Sequence, residues 1–128
     1  MPRILLIDDT PEIAQLLSFS LRDHGFEVFA SGFTDSINEL VAEQKADALV
    51  LDCSIYNMSE TLFDTVRYDA ANARLPVVII SDTPEVADKS LRSREATNVM
   101  LIPKPFTGSH VARAVAELLK LREARGQA

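Results

Sequence analysis

The sequence has little of three things that many functions require: cysteine, positive charge and long apolar runs. The single cysteine, Cys53, excludes an internal disulfide and a cysteine-based metal cluster, and we interpret it as a small buried hydrophobe. Thirteen Lys and Arg stand against 19 Asp and Glu, and the formal charge of −6 without a basic stripe argues against direct nucleic-acid binding. No apolar run spans a membrane, and no signal-peptide pattern precedes the first strand. We therefore expect a cytoplasmic protein whose partners are proteins or cations, not membranes.

The length fits one globular domain. A chain of 128 residues can bury a single core, and four glycines are too few for a fibrous or low-complexity chain. We expect one domain over residues 1–128, with a core of about 3–122 and a tail or the start of a linker at 123–128.

A short apolar strand that ends in an acid is the strongest single feature. Ala48 to Leu51 is an unbroken apolar run, typical of a parallel strand buried on both faces, and Asp52 follows directly. Because carboxylates are rarely buried without partners, we expect Asp52 at the carboxyl edge of the sheet, where open α/β sheets bind ligands. The alternative is that Asp52 only caps the next turn.

Strands and helices alternate along the chain. The predicted strands are 4–7, 26–30, 48–51, 77–80 and 99–102, and the predicted helices are 11–24, 35–44, 59–71, 84–94 and 109–125. Strict alternation implies right-handed crossovers and a parallel sheet with helices on both faces. The fold class is therefore α/β, with five strands in the common order 2-1-3-4-5.

Local signals add detail to two helices. The first helix is expected to begin with a Thr10 hydroxyl cap and Pro11, and to stop at Gly25. Helical spacing places Leu16 on its buried stripe. In the weak fourth helix, the same reasoning places Val86 on the apolar side.

Five polar residues are predicted to meet at one edge of the sheet. Asp8, Asp9, Asp52, Ser81 and Lys104 each follow a predicted strand, and the carboxyl ends of parallel strands share an edge. Three close carboxylates would raise each other's pKa unless a cation is present, and both a magnesium-type ion and the Lys104 ammonium would supply positive charge. This set indicates a phosphoryl site with an aspartate nucleophile and a hydroxyl donor.

These five residues, together with the sequence Lys104-Pro105-Phe106, resemble the motif residues of a known family. Over Ile4 to about Leu121 the chain resembles the receiver domain of two-component response regulators, which has a flavodoxin-like fold. The resemblance implies a cis bond between Lys104 and Pro105.

The same resemblance implies roles for individual residues. Asp52 would be the phosphoacceptor, and Mg²⁺ would be held by Asp9, Asp52 and the backbone carbonyl of Ser54, with Asp8 acting mainly through water. Ser81 and Lys104 would contact the phosphoryl group.

A histidine kinase or phosphotransfer protein would be the donor, and an unknown downstream protein or effector domain would receive the signal. Such a domain catalyses only its own phosphorylation and dephosphorylation, so it is not otherwise an enzyme.

Several positions depart from the family pattern. Ile55 and Tyr56 replace a Met-Pro pair and Glu60 replaces a glycine, while Thr97-Asn98 replace a Gly-Ala pair. Leu101 occupies the position of the aromatic switch residue. Asp82 replaces the small residue that leaves room for the donor. Ser54 and Thr83 occupy the positions that tune phosphoryl loss, and neither side chain is a strong base.

Two alternatives remain open. The altered loop and Asp82 favour a receiver-like interaction module that works without phosphorylation. A phosphohydrolase of the dehalogenase type also uses an aspartate after its first strand, but it needs an acid two positions after Asp8, where Thr10 stands. His24 and His110 lie in helix contexts away from these motifs, and we expect them to be ordinary surface or packing residues.

Overall fold

The structure is a computed structural model that describes residues 1–53 and 58–124. These residues form five strands and five helices in strict alternation: β1 (Arg3–Asp8), α1 (Pro11–Asp23), β2 (Glu27–Ser31), α2 (Ile37–Gln44), β3 (Ala48–Asp52), α3 (Met58–Tyr68), β4 (Val77–Ser81), α4 (Pro84–Ser93), β5 (Val99–Pro103) and α5 (Gly108–Ala124). A short 3₁₀ turn, Ala70–Asn72, follows α3.

All strand pairs of the sheet are parallel, and the order is β2-β1-β3-β4-β5, as predicted. Side chains alternate between the two faces, so each buried strand serves two cores. Ile4 and Leu6 pack in the cluster that includes α1 and α5, whereas Leu5 and Ile7 pack in the cluster that includes α2, α3 and α4. This burial on both faces is the reason that β1, β3 and β4 contain continuous apolar runs, whereas β2 at the edge of the sheet is mostly exposed. No helix within the described ranges has the length and apolar character needed to cross a bilayer.

The start of α1 differs from the prediction. Pro11 is its first residue, but the Thr10 hydroxyl makes no capping bond. The Thr10 backbone N–H instead donates to Asp8 Oδ1 at 2.8 Å, so the acid at the end of β1 orders the turn. The predicted stop is confirmed, because Gly25 has a φ of 97°, which glycine adopts without steric penalty.

Two apolar residues predicted to be buried are exposed. Leu16 is 49% exposed and Val86 is 48% exposed. α1 is buried through Leu17 and Leu21, and Leu16 lies about 100° around the helix from Leu17, beyond the edge of the narrow packed stripe. α4 is covered on one side only, which accommodates Ala87 but not its neighbour Val86.

Two helix boundaries also differ. α2 begins at Ile37, two residues later than predicted, after an N-cap at Ser36. α3 ends at Tyr68, earlier than predicted, because the Asp69 carboxylate accepts a hydrogen bond from the Ala71 N–H at 2.9 Å and starts the 3₁₀ turn. Side chains of this kind compete with helical hydrogen bonding.

Gly108 allows α5 to approach α1 closely. A methyl group at this position would overlap Ser20 Oγ and lie 2.6 Å from Ser20 Cβ. We expect Gly108→Ala to lower the free energy of unfolding by about 1–3 kcal/mol, because overpacking forces the two helices apart. Urea denaturation measures the change, with Gly32→Ala as control, since a methyl group there meets nothing within 4 Å. Equal stability of the two variants would contradict this packing argument.

Candidate functional site

Four strand ends bring the predicted polar residues to the carboxyl edge of the sheet. Asp8 ends β1 and Asp52 ends β3, and the two are register partners on neighbouring strands. Ser81 ends β4 opposite Pro103, and Lys104 follows β5 directly. Asp8 and Asp52 are both buried, at 5% and 2% exposure. Two neighbouring buried carboxylates need compensation by positive charge or hydrogen bonds.

Lys104 supplies a positive charge to Asp52. Lys104 Nζ lies 3.0 Å from Asp52 Oδ1, so Asp52 has a partner beyond its own turn. Burial lowers the pKa of Lys104, but the hydrogen bond and charge of Asp52 outweigh it and raise that pKa above its usual value. The Lys104 backbone N–H donates to the Ser81 carbonyl at 2.8 Å, which ties the loop after β5 to the end of β4. The Lys104–Pro105 bond is cis, as the resemblance implies.

Asp8 is the less well compensated carboxylate of the pair. Its Oδ1 accepts the Thr10 N–H, whereas its buried Oδ2 has no hydrogen-bond donor among residues 1–53 and 58–124. Burial raises the pKa of Asp8 to about 7, and the Asp52 and Asp9 charges add to this effect while the Thr10 N–H opposes it. Repulsion between carboxylates was the predicted cause, but burial is the larger one.

The donor set fits a hard divalent cation. Magnesium takes one or two carboxylates and keeps several waters, so two buried carboxylates with an orphaned oxygen meet its needs. Asp9, the third acid of this edge, is exposed. Within the described ranges, no three His, Cys, Asp or Glu side chains are arranged to hold a metal ion. The Ser54 carbonyl, predicted as a further ligand, lies outside the described residues, as do Ile55 and Tyr56.

The end of β4 presents a hydroxyl and a negative charge side by side. Ser81 Oγ accepts the Thr83 N–H at 3.0 Å and lies 3.3 Å from Thr83 Oγ1. Asp82 and Thr83 are exposed. The Asp82 charge contributes to the raised pKa of Lys104, so it acts within the same electrostatic site.

The surroundings of the site include groups that sequence reasoning did not place. Glu60 is 9% exposed in the first turn of α3, and Ser59 Oγ is buried without a partner in the part of the chain that the structure describes. Neither a single glutamate nor a single serine at a helix start predicts burial. Leu101 is half-buried and packs against the cluster on the α3 and α4 side.

Cys53 is less buried than predicted, whereas the two histidines have the surface environments that were predicted for them. Cys53 is half-buried, and burial raises the pKa of its thiol to about 11, so the thiol remains protonated at neutral pH. His24 is exposed and stacks on Phe26 with ring centroids 5.9 Å apart, and His110 is exposed on α5.

Comparisons with known proteins identify the family and the fold of this chain. The family profile of the response regulator receiver domain matches residues 4–116. The DNA-binding response regulator MtrA of Mycolicibacterium smegmatis is 26% identical over 121 residues, which cover 94% of this chain and 52% of that protein. The DNA-binding dual master transcriptional regulator RpaA of Synechocystis is 27% identical over 94% of this chain and 50% of its own length. The chain thus spans about half the length of these relatives.

Solved structures show the same fold. A sensor protein from Polaromonas superposes with a TM-score of 0.82 at 23% identity, covering 94% of this chain and 97% of that one. The receiver domain of a sensor histidine kinase from Pseudomonas aeruginosa, which has a magnesium ion coordinated in its active site cleft, superposes with a TM-score of 0.70 at 22% identity, covering 93% and 98%. Since the family profile covers most of the sequence, the chain belongs to the response regulator receiver domain family of two-component signalling.

Proposed function

We propose that Asp52 accepts a phosphoryl group from a histidine kinase or phosphotransfer protein in a magnesium-dependent reaction, and that the modified domain signals to a downstream protein or effector domain. The observation that carries this proposal is the 3.0 Å ion pair between Lys104 Nζ and Asp52 Oδ1 at a sheet edge shared with Asp8 and Ser81. A buried carboxylate beside a fixed ammonium is suited to in-line attack on an anionic phosphoryl group.

The transfer exchanges one bond for another. A carboxylate oxygen of Asp52 forms a bond to phosphorus as the phosphorus–nitrogen bond of the donor's phosphohistidine breaks, and the electron pair returns to the imidazole. Lys104 balances the charge of one phosphoryl oxygen, and the Ser81 hydroxyl donates to another. Mg²⁺, when bound, would stabilise the charge of the transferring group.

The ligands of that Mg²⁺ follow from the resemblance. Asp9, Asp52 and the Ser54 carbonyl would hold the ion directly, and Asp8 would hold it mainly through water. The orphaned, buried Asp8 Oδ2 supports a role for Asp8 in holding such an ion or its water, because this oxygen lacks a donor in the described part of the fold.

The proposal is tested by intact mass spectrometry after incubation with acetyl phosphate. With magnesium, the protein should gain the mass of one phosphoryl group, and with a chelator it should gain none. If neither acetyl phosphate nor a cognate kinase labels the protein, a receiver-like interaction module that works without phosphorylation becomes the better interpretation.

Asp82 is expected to slow labelling by small anionic donors. Its exposed carboxylate directly follows Ser81, and its charge acts on Lys104. Asp82→Ala should therefore speed acetyl phosphate labelling at low salt, by about threefold to tenfold, because like charges oppose the approach of an anion. Asp35→Ala, which removes an exposed acid before α2, is the matched control. An unchanged rate in Asp82→Ala would remove the electrostatic argument.

Loss of the phosphoryl group is expected to be slow. The side chains at the tuning positions, Ser54 and Thr83, carry hydroxyls, which orient attacking water less well than an amide or carboxylate would. Thr83→Asn or Thr83→Glu should therefore hasten the decay of the labelled species in a mass-spectrometric time course. Decay as fast in the wild type as in these variants would contradict this role.

Magnesium should stabilise the folded protein. Because a ligand that binds only the folded state raises the melting temperature, millimolar Mg²⁺ should raise it. Asp9→Ala should remove this shift more fully than Asp8→Ala, since Asp9 is the proposed direct ligand. Asp23→Ala, at the other end of α1, should keep the shift. Melting curves that do not respond to magnesium in the wild type would count against the metal site.

A further inference from the structure

A cavity lies at the amino-terminal edge of the sheet, away from Asp52. It has a volume of about 580 Å³ and opens between the end of α3 and the segment that follows α4. The side chains that matter to its chemistry are Phe63, Asp64, Arg67, Tyr68, Arg94 and Glu95. Its volume lies within the range of small-molecule pockets.

One of the two arginines of the cavity is already neutralised. Arg94 Nε donates to Asp64 Oδ1 at 2.7 Å, and Arg94 Nη2 donates to Asp64 Oδ2 at 3.0 Å. This two-point ion pair links α3 to the end of α4 and raises the pKa of Arg94. Both Asp64 oxygens accept from Arg94, and no ion pair joins Asp64 to the other arginine within residues 1–53 and 58–124.

The other arginine, Arg67, has no carboxylate partner in the part of the chain that the structure describes. It is half-buried, and its acceptors there are neutral carbonyls: Nη1 donates to Asn72 at 3.1 Å, and Nη2 donates to Thr97 at 2.9 Å and Asn98 at 3.1 Å. Its guanidinium lies 4.7 Å from the centroid of the Phe63 ring. A guanidinium has five N–H groups, so Nε and one hydrogen of Nη1 have no acceptor in the described residues. Burial lowers the pKa of Arg67 to about 10, and the group remains charged at neutral pH.

An almost fully exposed aromatic ring lines the same cavity as this charge. Tyr68 follows Arg67 on α3, lines the same cavity and is 96% exposed. Because the ring is already exposed, stacking a planar ligand on it costs little conformational entropy. Glu95 also lines the cavity; it is exposed and carries a charge opposite to that of Arg67.

We propose that this cavity binds a small aromatic anion, with its carboxylate or phosphate on the open N–H groups of Arg67 and its ring against Tyr68. A partly buried guanidinium with open donors favours an anion, and the exposed phenol ring favours a planar group next to it. The ligand would bridge α3 and the segment between α4 and β5. This site does not depend on phosphorylation of Asp52.

The test titrates the ¹⁵N-labelled full chain with two probes, 2-naphthoate and adenosine 5′-monophosphate, which distinguish a carboxylate source from a phosphate source. Binding of either probe should shift the backbone amide signals of Tyr68, Glu95 and Ala96. The uncharged analogues, 2-naphthamide and adenosine, should bind at least tenfold more weakly, because they cannot form a charge-assisted hydrogen bond with Arg67. Equal binding of charged and uncharged probes, or no shifts with any probe, would overturn the proposal.

Three variants separate binding from folding. Arg67→Gln should weaken the anionic probe about tenfold, but it also removes bonds that hold the segment before β5. Tyr68→Ala should weaken binding without disturbing the fold, because the ring is exposed, and Glu95→Gln should tighten it. Arg113→Gln, the same change at an exposed residue of α5, should leave binding unchanged. Wild-type affinity in both Tyr68→Ala and Glu95→Gln, or shifts confined to the Lys104 edge, would overturn the assignment.

Discussion

Asp52→Asn is expected to abolish phosphoryl incorporation while leaving the protein folded. The amide keeps the size of the buried carboxylate and can still accept a hydrogen bond from Lys104, but it lacks the anionic oxygen that would attack phosphorus in the proposed reaction. Intact mass spectrometry after acetyl phosphate and magnesium should show the added phosphoryl mass in the wild type and none in the variant.

The matched control is Asp47→Asn. Asp47 lies just before the same strand at the opposite edge of the sheet, where its carboxylate accepts the Arg3 N–H at 2.8 Å. It should be labelled like the wild type. Labelling of Asp52→Asn at the wild-type level would assign the acceptor to another carboxylate of the edge and refute the proposed role of Asp52.

Lys104→Met separates chemistry from packing in the same assay. The methionine retains the apolar stem but removes the ammonium that lies 3.0 Å from Asp52. Because a preorganised charge at a developing oxyanion contributes about 100-fold to rate, labelling should slow by about that factor. A labelling rate close to the wild type would show that Lys104 does not stabilise the transferring group.

Asp8→Asn should stabilise the metal-free protein by about 2 kcal/mol near pH 7.5. Asp8 is 5% exposed, its Oδ2 has no donor in the described residues, and its pKa is raised from 3.8 to about 7. Ionising it at neutral pH therefore opposes folding, and an asparagine of the same shape avoids that cost while still accepting the Thr10 N–H. The predicted gain is smaller than the free energy that corresponds to the whole pKa shift, because solvent at the edge of the sheet screens the charge.

The same shift sets a pH dependence in the absence of metal. Between about pH 4 and 7 the folded state keeps a proton on Asp8 that the unfolded chain has lost, so this group makes stability fall as the pH rises through that window. Urea denaturation in a chelating buffer at pH 5 and pH 7.5 should show a smaller fall for Asp8→Asn than for the wild type. If the free energy of unfolding falls equally with pH in the two proteins, Asp8 is not held in an unfavourable ionised state.

Much of the fold and the site follows from residues that carry strong local signals. Unbroken apolar runs such as Ala48 to Leu51 are typical of strands buried on both faces of a sheet, and their alternation with helices favours a parallel sheet in the common strand order. The positions of Asp52, Ser81 and Lys104 at strand ends follow directly, because parallel strands end at one edge. These outcomes depend on hydrophobic periodicity and on the order of the elements, and both can be read from the sequence.

How far each side chain is shielded from solvent depends on the folded arrangement of its neighbours. Leu16 and Val86 satisfy helical spacing but are exposed, because the width of a packed stripe depends on the neighbouring elements. Asp8 is buried, whereas the adjacent Asp9 is exposed, so burial and not repulsion dominates the pKa of Asp8. Arg67 lies half-buried with no carboxylate partner among the described residues, although its position in α3 carries no such signal. Periodicity and element order are enough to predict which residues share an edge. Long-range packing determines which of them lose contact with water, since burial is a property of many distant residues together.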